Sequence, residues 1–599
     1  MPPEPSNPQG GPPRPPTNPV RAVFTMGPAQ RRWPFGVKAG FSTAAMVTAG
    51  WTAGNVAAGL IGSIGTFTSR YGNSRPYLNR GIQLAVVALS LALAISLGVW
   101  AAPVPWAGVL VVSLVAVAAV WLCNALAVGP PGGYLFVVAC AAGIGISASQ
   151  LGPLRVGLLV LAGGALAWLV QMVGALVDFR GPERSAVAGT GEAVAAYIEA
   201  TGTPAAGAAR HRAAASLHET WSVLVNFQPV TPPPASDLNR LRAANHALHV
   251  LFADAMTAAA DGEPQAPDAA AQARRLGTMD LPPETVATRD IDRIPLGRPP
   301  LTQLLRQAVT PGSQTRHVML RVAIAVPLAG AVAASLGVGR AYWAMAAAVL
   351  VLHQGFDWTR TLQRGAERLL GTWIGLGLAA VIILIHPQGL WLALVLALLQ
   401  FTVEMLVVRN YTLATIFITA AALTISTGSR QVDVGPLLIS RGVDTAIGCA
   451  VGILVYLAVV RRQETTRLTD AIADTLDAIA VTSANLARGD AASLPARTAR
   501  RDLQRAATAV VDAYDAATGG SGTRRKAAEP MWPLVEATEH LAYRVIAACW
   551  AMDRATDGRP GAGLDTTAFD AHAADLRATL AATPRASRRG VPRRRRSPR

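Results

Sequence analysis

Residues 81–154 read GIQLAVVALSLALAISLGVWAAPVPWAGVLVVSLVAVAAVWLCNALAVGPPGGYLFVVACAAGIGISASQLGPL and contain no charged side chain. A helix that crosses a bilayer needs about 20 consecutive apolar residues, so three fit here. The divisions are Ala102-Pro103-Val104-Pro105 and Gly129-Pro130-Pro131-Gly132-Gly133, because proline cannot continue a helix and such clusters mark turns. A chain buried in lipid must pair its own backbone polar groups, which makes the stretch α-helical.

Working outward, Val156 to Val177 reads as a further helix. The uncharged run Ala39 to Ser69 is too long for one span and reads as a helix, a Gly-rich break near Gly54 to Gly59, and a short second helix. A second apolar block repeats the plan with Val322–Gly339, Tyr342–Gly355, Leu369–Ile385, Gly389–Val403, Tyr411–Thr427 and Leu437–Val460. Leu78-Asn79-Arg80-Gly81 has a counterpart in Leu362-Gln363-Arg364-Gly365, and Tyr134 one in Tyr411. The expected fold is an all-α membrane protein of about twelve spans, made of two six-helix repeats. An even number of spans gives both repeats the same orientation, so they are parallel.

The expected organisation is a Pro-rich cytoplasmic tail (1–34), a first membrane repeat (35–179), a cytoplasmic helical domain (180–316), a second membrane repeat (317–462), a C-terminal cytoplasmic helical domain (463–584) and a basic tail (585–599). The composition agrees with a membrane protein, at 51% hydrophobic and 15% charged residues with a mean hydropathy of +0.34. The net charge of +17 is better explained by topology than by a nucleic-acid partner. With the N-terminus inside, only Arg155, Arg340 and Arg430 fall outside, while arginines from Arg31 and Arg32 to Arg461 and Arg462 flank the spans on the cytoplasmic side. The positive-inside rule then puts both termini in the cytoplasm of a multi-pass inner or plasma membrane protein. Cys123, Cys140, Cys449 and Cys549 show no paired spacing, so neither disulfides nor a metal site is expected.

No nucleotide-binding loop, dinucleotide turn or nucleophile elbow occurs, which argues against ATP-driven transport and against common enzyme chemistry; no cofactor is expected. His246 and His249 share a helix face but read as a solvated face rather than as metal ligands. Gly371, Gly375, Gly448 and Gly452 form small-xxx-small pairs suited to close helix packing. Arg360, Arg364 and Arg368 lie four apart in a stretch read as a cytoplasmic basic loop, either an anion vestibule or a topological anchor. Ionisable groups inside membrane helices cost several kcal/mol and are usually paired or functional. Those groups are Glu404, whose alternative role is to snorkel or pair with Arg409, and Arg441 with Asp444, which is either an intrahelical pair or part of a substrate path.

The runs Arg368-Leu-Leu-Gly-Thr-Trp-Ile-Gly375 and Arg441-Gly-Val-Asp-Thr-Ala-Ile-Gly448, together with Tyr342-Trp343-Ala344-Met345, resemble the fusaric acid resistance (FUSC) or aromatic acid exporter family. The first half carries the likeness weakly, since its third helix lacks the G-T-x-x-G run. The resemblance implies a proton-driven efflux transporter of aromatic or other organic acids. Plant malate channels look like distant relatives, so an organic-anion channel stays open, as does a membrane scaffold that binds a protein partner through its cytoplasmic domains. The expected partners are the lipid bilayer and a small organic anion; a homo-oligomer is left open.

Overall fold

A computed structural model describes residues 26, 32–73, 75–146, 151–226, 228–229, 233, 236–280, 296, 299–311, 313–337, 340–354, 358–428, 434–460, 467–518, 522–555 and 562–583. Arg31, Arg430, Arg461 and Arg462, the spans' expected ends Gly339 and Gly355, nearly all of the N-terminal tail and the whole basic C-terminal tail lie outside these residues.

The described residues are all-helical. Before the soluble segment come α1 (Trp33–Thr52), α2 (Val56–Gly65), α3 (Tyr77–Ala101), α4 (Pro105–Ala125), α5 (Tyr134–Ile146) and α6 (Pro153–Met172). Next are α7 (Gly181–Ala200), α8 (Ala206–Trp221), α9 (Asp237–Asp261) and α10 (Ala269–Thr278). The second membrane stretch holds α11 (Gln314–Ser335), α12 (Tyr342–Leu352), α13 (Trp358–Ile385), α14 (Gly389–Leu406), α15 (Tyr411–Thr427) and α16 (Val434–Val460). The chain closes with α17 (Arg467–Ala487), α18 (Leu494–Thr518), α19 (Trp532–Ala555) and α20 (Thr567–Ala582).

Among the described residues, seven helices are long and apolar enough to cross a membrane: α3, α4, α6, α11, α13, α14 and α16. Helices α5, α12 and α15 are apolar but shorter. The break before α2 falls at Gly54, whose φ of +71° suits glycine, and the side chain of Asn55 accepts the Ala58 amide to start the helix. The reading of 357–368 as a loop is corrected: described residues from Trp358 onward are helical and form the first turns of α13. Its arginines interrupt the apolar run without interrupting the helix.

Within the membrane unit the two groups of six helices pack by the same plan. Helix α3 lies on α5 and α6 as α13 lies on α15 and α16, and α2 meets α6 as α12 meets α16. Between the groups, α1 packs on α14 and α11 packs on α4. Glycine lets these backbones approach: a Cβ at Gly40 would lie 2.9 Å from the Ala397 carbonyl, and one at Gly36 would lie 2.8 Å from the Phe401 ring. Gly389 meets Trp51 at the far end of α1, so α1 and α14 run antiparallel. Trp51, Trp100, Trp106 and Trp391 are exposed at helix ends on that side, as an interfacial aromatic belt requires.

The soluble unit has one core. Residues 187–276 and 468–576 contribute to a single hydrophobic cluster, so the two helical domains separated in the sequence pack together. The join includes His211 Nδ1 at 2.9 Å from Glu539 Oε1, and Arg210 at 3.4 Å from Glu539 and 3.7 Å from Glu536. His249 is not on a solvated face. It is buried, its Nδ1 donates to the Asn245 carbonyl at 2.9 Å, and its ring meets Trp221 and Trp550. Burial holds its pKa down to about 3. Among the described residues no group of three or more His, Cys, Asp or Glu side chains is arranged to hold a metal.

Candidate functional site

A cavity of about 670 Å³ lies within the membrane unit, walled by helices of both halves. Helices α1 and α5 and the turn after α2 bring Arg32, Phe35, Phe67, Arg70 and Tyr134; α12 to α16 bring Trp343, Arg364, Arg368, Glu404, Tyr411 and Arg441. Among the described residues six arginines line it, counting Arg75, against the single carboxylate of Glu404. Such an excess of cationic side chains among apolar helices costs free energy, which ion pairs, ring contacts and hydrogen bonds offset only in part.

The crossing of α1 on α14 builds the first cluster. Glu404 Oε1 lies 3.1 Å from Arg70 Nε and its Oε2 lies 3.6 Å from Arg32 Nη2. Arg70 also donates to the Gln400 carbonyl oxygen at 2.8 Å and stands over the Phe67 ring. The sequence-based alternative for Glu404 is corrected here: its ion-pair partners are Arg70 and Arg32 from the first half, not Arg409 on its own strand of chain. In the sequence both arginines read as cytoplasmic flanks of the spans, and only the packing of distant helices brings them to Glu404.

The second cluster stands on α12, α13, α15 and α16. Arg364 lies with its guanidinium carbon 3.9 Å from the centre of the Tyr411 ring, donates to Gln354 at 3.2 Å and pairs with Glu367 at 3.4 Å. Arg441 is buried, and its guanidinium carbon lies 3.3 Å from the centre of the Trp343 ring, a cation–π contact. Arg368 is equally buried, and two of its nitrogens, Nε and Nη1, have no hydrogen-bond partner. Tyr134, matched to Tyr411 in the sequence, stacks on His353 across the same cavity.

Asp444 does not hold Arg441. It is fully buried, both its oxygens lack a hydrogen-bond partner, and among the described residues no ion pair joins it to Arg441. Three-residue spacing puts the two on one helix face, and the Arg441 guanidinium lies on the Trp343 ring. Arg360 is exposed and stands apart from the cavity lining. Three of the four glycines sit at close helix contacts: a Cβ at Gly371 or Gly375 would fall 2.6 Å from an α15 carbonyl, and one at Gly448 would collide with the Ala344 carbonyl of α12. Gly452 has room, its nearest neighbour being 3.4 Å away.

A helical membrane unit around a basic, aromatic-flanked cavity is the frame for the comparisons with known proteins, which agree with a membrane protein of the transporter kind. Residues 328–455, from within α11 to within α16, match the family described as Fusaric acid resistance protein-like. The cavity's second cluster and the Arg441 and Glu404 positions lie inside that segment. An uncharacterized membrane protein of Bacillus subtilis, YvaC, is 28% identical over 548 residues, which covers 86% of this chain and 85% of YvaC. An uncharacterized protein of Synechocystis, slr1298, is 30% identical over 165 residues, covering 26% of this chain and 20% of the relative. No solved structure gives a significant match.

Proposed function

We propose that this protein is a secondary transporter that exports aromatic or other organic acids across the inner or plasma membrane, driven by the proton gradient. The observation that carries this reading is the cavity's six arginines facing one carboxylate, with aromatic rings beside them. Guanidinium groups bind carboxylates in paired geometry, and the rings accept a flat apolar body. The matching packing of the two halves supports twelve spans in two parallel repeats, and the arginine asymmetry of the sequence supports both termini and the soluble unit in the cytoplasm. Arg441 supplies positive potential on the anion path. Glu404 carries the coupling proton, exchanged when a substrate anion competes with it for Arg70. A passive channel needs no such group.

The test uses the purified full chain in proteoliposomes, measuring uptake and efflux of labelled aromatic acids with and without an imposed pH difference. Transport should move substrate against its gradient only when the pH difference is present, and Arg441→Gln should impair it while protein abundance stays intact. Flux that merely dissipates a gradient would support the channel reading. Loss of folded protein in the Arg441 variant would make that residue structural.

A further inference from the structure

The two clusters in the cavity differ in how their charge is met. Arg32 and Arg70 share one carboxylate and keep some contact with water, their side chains being 21% and 15% exposed. Arg368 and Arg441 are each 3% exposed and have no carboxylate partner among the described residues. Both retain buried nitrogens without a hydrogen-bond acceptor, Nε and Nη1 of Arg368 and Nε of Arg441. They come from α13 and α16, which pack against each other, and both line the same cavity. A cation removed from water needs a counter-charge and acceptors for its donors, and here two cations share one wall with no carboxylate in ion-pair contact and three donor nitrogens unmatched among the described residues.

We propose that Arg368 and Arg441 form the seat for the anionic head of the ligand, and that the seat prefers a head carrying two negative charges, such as a dicarboxylate or a phosphate monoester, to a monocarboxylate. A monocarboxylate compensates one guanidinium and leaves the second charged and buried beside it. A dianionic head compensates both and offers enough oxygen atoms to take the free donors of each. Trp343, already under Arg441, bounds the seat on its apolar side. This inference rests on the organic-anion reading and narrows it.

The experiment is titration calorimetry of the full-length protein in lipid nanodiscs with benzoate, phthalate and phenyl phosphate, which share an aromatic ring and differ in head charge. At about pH 8 the second ionisation of a phosphate monoester, near 6, is complete. Phthalate and phenyl phosphate should each bind at least about tenfold more tightly than benzoate, a difference of about 1.4 kcal/mol. Arg368→Gln and Arg441→Gln should each remove that advantage, Arg441→Lys should keep part of it, and Arg360→Gln, outside the cavity lining, should leave it unchanged. Benzoate binding as tightly as the dianions in the unaltered protein overturns the inference and leaves the organic-anion reading standing. Binding of none of the three overturns both. A preference that survives in both glutamine variants places the seat elsewhere and also overturns the inference.

Discussion

Replacing Glu404 by glutamine removes the one carboxylate among the described residues of the cavity lining while keeping the side chain's shape. The carboxylate is 5% exposed and lies 3.1 Å from Arg70, where at an effective dielectric of about 20 the pair is worth about 5 kcal/mol before desolvation. Losing one partner of a buried ion pair costs about 3 to 5 kcal/mol, and the glutamine carbonyl, still able to accept from Arg70, offsets about 1. Glu404→Gln should therefore lower the stability of the membrane unit by about 2 to 4 kcal/mol, read as an earlier thermal transition in detergent micelles. An added organic anion should restore part of that loss by taking the freed Arg70 and Arg32. In proteoliposomes the variant should bind substrate yet fail to accumulate it under an imposed pH difference. If it still accumulates substrate against a gradient, Glu404 does not carry the coupling proton, and its part is limited to the pairs with Arg70 and Arg32.

Gly448→Ala should destabilise the protein by about 1 to 3 kcal/mol or prevent folding, because its Cβ meets the Ala344 carbonyl, whereas Gly452→Ala should be nearly neutral; expression and melting of the two variants side by side decide it. His249 is neutral in the fold, with a pKa held to about 3, while the unfolded chain protonates it below about 6.5, so its contribution is full above that value and falls by about 1.4 kcal/mol per pH unit on acidification towards 3. Melts at several pH values should show a shallower acid loss in His249→Gln than in the unaltered protein; equal slopes would refute the assignment. A cysteine placed at Ser236 should resist an impermeant thiol reagent added from outside intact cells, and its labelling there would reverse the assigned topology.

The sequence was most legible where lipid is the solvent. Tyr411–Thr427 falls on α15 without adjustment, and the Pro and Gly clusters at 102–105 and 129–133 separate α3, α4 and α5, because an unpaired backbone is intolerable in hydrocarbon and turns must lie where proline and glycine allow them. Legibility failed where a helix lines a wet interior. The arginines at 360, 364 and 368 made the start of α13 look like a loop, although they sit on a continuous helix and two of them face the cavity. The Glu404 cluster was hidden for a different reason. Its partners Arg70 and Arg32 are far away in the chain, and no local periodicity reports that α1 lies on α14. His249 failed likewise: the aromatic rings that bury it come from α8 and α19, on either side of the second membrane stretch.

The reciprocal seating of α1 on α14 and of α11 on α4 bears on how the protein is made. When α1 leaves the ribosome its partner does not yet exist, and it waits through synthesis of the first membrane half, the connecting soluble helices and α11 to α13. The contact faces of α1 and α4 must therefore be tolerated by lipid or sheltered by the insertion machinery during that interval, which the uncharged stretches Ala39 to Ser69 and Gly81 to Leu154 permit. Each half by itself leaves one face of its own first helix uncovered, since α1 and α11 each rest partly on a helix of the other half. The two halves, translated as separate polypeptides in one cell, would each supply what the other is missing.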